Sequence, residues 1–172
     1  MDKFFRMSAI CLALALGSQA ALAAQDADDF VEDASAKGVA EVEAGKLADE
    51  KGQSQKVKDF AQMMIKDHTA ANEKLKAIAQ SKKLEVSDDA QLMDKAKALI
   101  LDLRNASSFD RAYANNQVKA HEATIALFEE QAANGEDAEL KAFASETLPK
   151  LKEHLVQAKE LAAATGGNAA KN

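Results

Sequence analysis

Apolar residues recur along three long stretches of this chain at steps that alternate between four and three residues. The first stretch follows Gly52 and has the pattern at positions 57, 61, 64, 68, 71, 75 and 78, with one polar member at 68. Two later stretches repeat it, from Ala114 to Ala132 and from Leu140 to Leu161. Such steps keep the repeating side chains on one stripe of an α-helix, which must be buried against other helices. The pattern therefore predicts a bundle of long helices.

A fourth stretch, residues 26–51, has an apolar stripe spaced at the helical repeat, and three unusual residues lie on it. Gly38 and Gly45 are seven positions apart, with Glu41 between them. A glycine inside a helix costs about 1 kcal/mol relative to alanine. Two of them on one packed face predict the close approach of another helix, or space for a ligand.

Capping residues and helix breakers define the expected helices. Helix A is capped by Asp26 or Asp28 and helix B by Ser54, while capping boxes at 88–91 and 107–110 begin the next two helices. The expected limits are about 26–51 for helix A, 54–81 for helix B, 89–103 for a short helix, 107–134 for helix C and 136–165 for helix D.

The lengths of the connections predict how these helices are arranged. Helices A and B, and helices C and D, are joined by very short loops, so each pair should be antiparallel. The short helix lets the chain cross from B to C. Pro149 lies inside helix D, and because the heptad pattern continues in register beyond it, we expect a kink and not an end. The predicted fold is all-α, an up-and-down four-helix bundle with one extra short helix between B and C.

The N-terminus has the features of a cleaved signal peptide. Lys3 and Arg6 precede the apolar run 7–16, and residues 21–23 read Ala-Leu-Ala, as signal peptidase requires. We predict a signal peptide over residues 1–23, with Ala24 as the neighbouring cleavage choice. The lone cysteine, Cys11, lies within it, so the mature chain would have no disulfide, no thiolate metal site and no c-type haem.

The rest of the chain is predicted to be one exported domain in the periplasm. The domain covers residues 26–165, and residues 166–172 are expected to be a disordered tail. No later stretch approaches the roughly 20 apolar residues that a membrane span needs. Without residues 1–23 the chain has 20 basic and 27 acidic residues, a net charge of −7. This charge argues against nucleic acid and anionic membranes as partners, and leaves an envelope protein as the expected kind of partner.

The chain contains three histidines, His68, His121 and His154, and each lies on the apolar stripe of a different helix. Together with Glu41 they place one inward polar side chain on each long helix, near the level of its middle. Imidazole and carboxylate ligands of this kind suit one ion of zinc, iron, manganese or copper. The alternative is a structural network of hydrogen-bonded core histidines. Polar residues close enough to assist either arrangement are Asp67, Asn72, Asp110, Gln117, Glu122, Glu146 and Glu153.

Four segments of the chain resemble a known family. They are residues 38–48 (GVAEVEAGKLA), 57–68 (VKDFAQMM with Asp67-His68), 109–121 (FDRAY with Val118 and His121) and 148–155 (LPKL with His154-Leu155). They are similar to the bacterial envelope family called domain of unknown function 4142, which is often labelled an outer membrane protein and regarded as ferritin-like. The resemblance implies an exported ferritin-like bundle and no established activity.

The chain departs from di-iron ferritin-like proteins at the positions that matter for their chemistry. Those proteins use Glu-x-x-His on two helices, whereas Ile65, Val118 and Leu151 stand three residues before the histidines here. We therefore expect no di-iron oxygen chemistry and retain a mononuclear or storage-type site.

Two functions follow from the sequence. The first is a periplasmic bundle that binds a transition metal in envelope stress protection. The alternative is a non-enzymatic structural or interaction module of the envelope whose core histidines are only structural. No nucleophile–base motif, phosphate loop or dinucleotide fingerprint occurs, so enzymatic activity is not predicted. Outer-membrane association finds no support in the residues, which lack alternating strands and a lipid attachment site.

Overall fold

All regular secondary structure in the described part of the chain is helical, which confirms the predicted all-α class. The computed structural model describes residues 13–84, 89–100, 103 and 108–166, with side chains from Asp26 on. Its five helices are α1 (Ala13–Lys51), α2 (Gln55–Lys82), α3 (Asp89–Leu99), α4 (Phe109–Asn134) and α5 (Ala138–Ala164). None of them combines the length and the apolar character that a membrane span requires.

Helix α1 begins earlier than the sequence predicts. It starts at Ala13 and passes through Asp26 and Asp28, so neither aspartate caps it in this chain. The physical reason is the run of alanine and leucine residues before Asp26, which are strong helix formers and continue the helix toward the N-terminus. Residues 1–12 lie outside the described part of the chain, and the signal peptide over residues 1–23 stays a prediction.

The start of α2 is held by a residue from another helix. Ser54 occupies the predicted cap position, but its side chain makes no capping hydrogen bond. Instead, Asp110 on α4 accepts hydrogen bonds from the backbone N–H groups of Gln53 and Ser54, both at 2.9 Å. Both carboxylate oxygens of Asp110 thus bond to the backbone before α2, and the capping box predicted for Asp110 stays a prediction. Its predicted partner Ser107, like Asp88 of the other capping box, lies outside the described residues.

Helix α5 begins and continues as predicted. Asp137 is its cap, and the side chain accepts hydrogen bonds from the backbone N–H groups of Glu139 and Leu140, both at 3.0 Å. The helix continues through Pro149 to Ala164 without ending.

Contacts between side chains fix the directions of the four long helices. Gly45 on α1 lies beside Ile65 on α2, and Gly38 lies beside Asn72, so α1 and α2 are antiparallel. On α4 and α5, ion pairs join Glu122 to Lys159 and Glu129 to Lys152 in the antiparallel sense.

The two hairpins pack together with the same alternation. Phe30 on α1 contacts Phe128 on α4, with ring centroids 5.3 Å apart, while Glu41 reaches Gln117. The long helices therefore form a cycle in the order α1, α2, α5, α4, and each is antiparallel to the next. Helices α2 and α4 consequently run in the same direction. Helix α3 lies along α1 and carries the chain back to the end of the bundle where α2 begins, so α4 begins at that end too. The up-and-down order holds within each hairpin but not between α2 and α4.

The predicted stripes form the interior, and its apolar part is divided into two clusters. One contains Met64, Tyr113 and Val118, and the other contains Leu75 and Phe128. Among the residues predicted on the stripes of the four long helices, four are only half-buried: Val42, Ala71, Ala132 and Thr147. In sequence, the three histidines fall between the members of the two clusters, so a polar layer separates them.

The close helix approach predicted from the glycines is confirmed. A Cβ atom added to Gly45 would lie 2.8 Å from Cγ1 of Ile65 and 3.1 Å from the backbone oxygen of Ala61. A Cβ atom added to Gly38 would lie 1.9 Å from Oδ1 of Asn72. The two glycines therefore allow α2 to contact the backbone of α1 beside Glu41.

Candidate metal centre

Three helices bring the three histidine rings together in the interior. His68 comes from α2, His121 from α4 and His154 from α5, and their ring centroids are 5.5, 5.5 and 5.6 Å apart. The side chains are almost inaccessible to solvent, at 6%, 1% and 1% exposure. One ring nitrogen from each residue can be chosen so that all three lie within 4.8 Å of one another. The prediction that these histidines share one layer is confirmed.

Two of the rings are oriented by hydrogen bonds on their outer side. Nδ1 of His121 donates to the backbone oxygen of Gln117 at 2.9 Å, since a carbonyl can only accept. Nε2 of His154 donates to Oδ2 of Asp67 at 3.0 Å. Each ring then presents its other nitrogen as an unprotonated acceptor, which is the form that binds a metal ion.

Three other ring nitrogens, one from each histidine, have no hydrogen-bond partner among the described residues. They are Nε2 of His68, Nε2 of His121 and Nδ1 of His154, all buried. An unsatisfied polar atom in the interior costs about 1–3 kcal/mol. Three such atoms in one layer are a substantial cost unless a ligand satisfies them together.

Glu41 lies in the same layer but on the outer side of His121. Its Oε2 accepts a hydrogen bond from Nε2 of Gln117 at 2.7 Å, and its Oε1 lies 3.9 Å from Nδ1 of His121. The group of converging donor atoms within the described residues consists of the histidines without Glu41. The structure thus brings all four predicted site residues into one layer, with Glu41 beside the nitrogen of His121 that already donates to Gln117.

Burial favours the uncharged forms of His68, His154 and Glu41. Burial lowers the pKa of His68 from 6.5 to about 3, and the neighbouring charges of His121 and His154 act in the same direction. Burial also lowers the pKa of His154, although the hydrogen bond to Asp67 opposes the change. For Glu41 burial raises the pKa, against the opposing effects of His121 and the hydrogen bond from Gln117. Neutral imidazoles are the form required of metal ligands.

Of the polar residues considered from the sequence, two contact the histidines. Asp67 and Gln117 hold His154 and His121 as described, and Asp110 caps α2. Glu122, Glu146 and Glu153 form ion pairs at the surface with Lys159, Lys74 and Lys150. Asn72 packs against Gly38. The contacts described for these four are made outside the three rings.

Tyr113 is a buried residue of the apolar cluster that contains Met64 and Val118, and sequence reasoning placed it on a neighbouring stripe and did not assign it to the site. It is fully buried, and its hydroxyl oxygen has no hydrogen-bond partner in the described structure. Burial, with a contribution from the charge of Glu41, raises its pKa well above 10. The available signal was spacing, since Tyr113, Gln117 and His121 are four residues apart and therefore lie on one face of α4.

Comparison with known proteins identifies the family. The family described as domain of unknown function 4142 matches residues 12–161. The chain belongs to this family. The matched residues include Glu41 and all three histidines of this chain, and they reach into all five helices. No curated protein and no solved structure matches the chain significantly.

Proposed function

We propose that this protein is an exported helical bundle that binds one transition-metal ion through His68, His121 and His154. The single observation that carries the proposal is the set of three buried, unpartnered ring nitrogens in one layer. A structural network of histidines would pair these atoms with one another or with Glu41. The pairs are missing, and a shared ion satisfies all three lone pairs at once.

The distances suit an ion with little rearrangement. Zinc binds imidazole nitrogen at about 2.0–2.1 Å, so nitrogens around one tetrahedral ion lie about 3.3 Å apart. If all three nitrogens were the full 4.8 Å apart, each would move inward by about 0.8 Å to reach that geometry. Side-chain rotations supply a movement of this size.

The donor set favours borderline metals. Imidazole suits zinc, copper, iron and nickel, whereas carboxylate-rich sites suit magnesium and calcium. Zinc, iron, manganese and copper are the candidates, and the three-histidine set favours zinc or copper over manganese. Two acceptors act from outside the rings: the carboxylate of Asp67 and the backbone oxygen of Gln117 hold the tautomer and orientation of His154 and His121. Glu41 lies 3.9 Å from the same nitrogen of His121 and adds negative charge there.

The ferritin-like fold and the periplasmic location belong to the same proposal. Two antiparallel hairpins joined by one long crossing connection are the arrangement of ferritin-like bundles, which supports that topology. The signal-peptide features of residues 1–23 support export. A buried metal site in an exported bundle is consistent with a role in metal handling during envelope stress.

Metal binding is tested by titration of the mature, untagged protein after treatment with a chelator. Calorimetric titration with Zn²⁺ is expected to give one ion per chain, with a rise in Tm on loading. Each of His68→Ala, His121→Ala and His154→Ala should abolish tight binding. No binding and no rise in Tm with zinc, iron, manganese or copper would refute the proposal and leave the structural module as the function.

A matched pair of variants then separates a ligand from an orienting residue. Asp67→Asn retains an acceptor for His154 and should weaken binding by about 10-fold to 100-fold. Glu41→Gln is expected to weaken metal binding by a factor in the same range. A loss with Glu41→Gln as large as that with His121→Ala would instead make Glu41 a direct ligand.

A further inference from the structure

Between α2 and α5, one hydrogen bond joins the three-histidine centre to a partly exposed side chain. Asp67 on α2 accepts this bond from Nε2 of His154 on α5 at 3.0 Å. The side chain of Asp67 is 25% exposed, whereas that of His154 is 1% exposed. The unpartnered Nδ1 of His154 is on the other side of the same ring. At this place the ring of His154 therefore stands between Asp67 and the free nitrogens.

A groove between α2 and α5 begins one helical turn away from this hydrogen bond. Its volume is about 460 Å³, and its lining residues include Met63 on α2 and Gln157 on α5. Met63 precedes Asp67 by four residues, and Gln157 follows His154 by three. Residues at these spacings are neighbours on the surface of a helix. Because α2 and α5 are antiparallel, both helices lead from the groove to the Asp67–His154 pair.

The charges along this groove favour cations. Among the described residues that line it, Asp59 and Glu160 are acidic and Lys56 is basic, so two negative charges and one positive charge leave an excess of one negative charge. A groove with an excess of negative charge raises the local concentration of metal cations.

A second opening, the cleft that includes Glu41, has the opposite charge. Its described lining residues include Lys37 and Lys119 beside that one carboxylate. Glu41 lies beside Nδ1 of His121, the nitrogen that already donates to Gln117. This cleft therefore repels cations, and it meets the layer on the side of His121 away from its free nitrogen.

We propose that His154 is the gate of the metal site: its ring swings away from Asp67 into the groove between α2 and α5, and metal ions enter and leave there. This inference rests on the proposed metal site and adds to it a route and a moving ligand. Rotation between staggered side-chain conformations moves the ring. The free nitrogen moves with it, so the ring itself carries an ion between the groove and the layer. The hydrogen bond to Asp67 holds the gate closed.

The test measures Co²⁺ exchange by the mature chain, because the visible absorption of this ion reports its coordination. Uptake by the metal-free protein and release to an excess of chelator are followed by stopped flow. Gln157→Trp places a large ring in the groove and should slow uptake and release several-fold, by the same factor. The affinity should stay unchanged, because only the barrier between two end states rises. The matched control, Ala123→Trp, places the same ring in the cleft that includes Glu41 and should exchange Co²⁺ at wild-type rates.

Asp67→Asn tests the hydrogen bond that closes the gate. A neutral amide holds the ring of His154 less strongly than a carboxylate does, so the gate should open more often. Uptake should then be faster than in the wild type, and release should be faster still, which accounts for the weaker binding expected of this variant. Uptake that is no faster than in the wild type would show that Asp67 only orients the ring.

The outcomes separate the gate from the metal site itself. If Co²⁺ does not bind to the wild type, the proposed metal site is wrong. If Co²⁺ binds and Gln157→Trp exchanges it at wild-type rates, the metal site stands and the route through the groove is refuted. Slow exchange in Ala123→Trp with wild-type rates in Gln157→Trp would assign the route to the cleft that includes Glu41.

Discussion

The stability of the metal-free protein should fall between pH 7 and pH 5 because of His68. Burial lowers the pKa of this imidazole to about 3 in the folded chain, whereas the pKa of an unburied imidazole is 6.5. In this interval the unfolded chain therefore binds a proton that the folded chain does not, so lowering the pH favours unfolding. One pKa unit corresponds to 1.36 kcal/mol, and the two values give a loss of about 2 kcal/mol between pH 7 and pH 5. The loss continues until the pH reaches about 3.

The measurement is urea unfolding at both pH values with a chelator present, on the wild type and His68→Gln. Glutamine is polar and does not titrate in this range, so the variant should lose about 2 kcal/mol less than the wild type. The change in unfolding free energy between the two pH values is compared for the two proteins. In this comparison the pH-independent effect of the substitution cancels, and so do the contributions of groups that titrate alike in both proteins. His154, whose pKa is also lowered by burial, adds a loss of the same sign to both proteins.

Two results would contradict this reasoning. The first is an equal pH dependence of the two proteins, within about 0.5 kcal/mol. The second concerns the wild type alone: the imidazole NMR signal of His68 should show no protonation shift above about pH 4, and a midpoint near 6.5 would mean that the ring is open to water.

Two packing predictions concern the contacts between helices. In an exposed helix, a Gly→Ala change would stabilise the protein by about 1 kcal/mol, but Gly45→Ala should lower Tm because the new Cβ would lie 2.8 Å from Ile65. Gly38→Ala should lower Tm less, since its neighbour is the end of the Asn72 side chain, which can rotate. A higher Tm for Gly45→Ala would refute the close approach of the two helices. Asp110→Ala should lower the free energy of unfolding in urea by about 2 kcal/mol, since two hydrogen bonds to a charged group are lost. The exposed Asp59→Ala serves as the control, with an expected change within about 0.5 kcal/mol, and an equal effect of the two would show that Asp110 does not anchor α2.

The interior of this fold was largely predictable because its stripes are regular. A helix that repeats every 3.6 residues presents positions such as Met64, Val118 and Leu151 to its neighbours whichever way those neighbours run, and all three are buried. The histidines follow from the same rule, since each occupies a stripe position. The level at which they meet was predictable because each lies near the middle of its helix.

Other features depend on distances that the local pattern does not contain. Asp110 stands at a capping-box spacing, yet its carboxylate bonds to the start of α2, more than fifty residues away in sequence. Tyr113 lies just off the apolar stripe of α4, and its buried ring packs against Phe60 on α2 and Phe109 on α4. The common direction of α2 and α4 is set by the path of α3, and no residue within α2 or α4 encodes it.

The crossing connection has a consequence for how the site comes into being. His68 belongs to the hairpin of α1 and α2, while His121 and His154 belong to the hairpin of α4 and α5. Neither hairpin alone has the three donors, so a chain cut between residues 84 and 108 and expressed as two fragments would regain tight zinc affinity only upon reassembly. Metal uptake would then serve as a direct readout of complementation between the fragments.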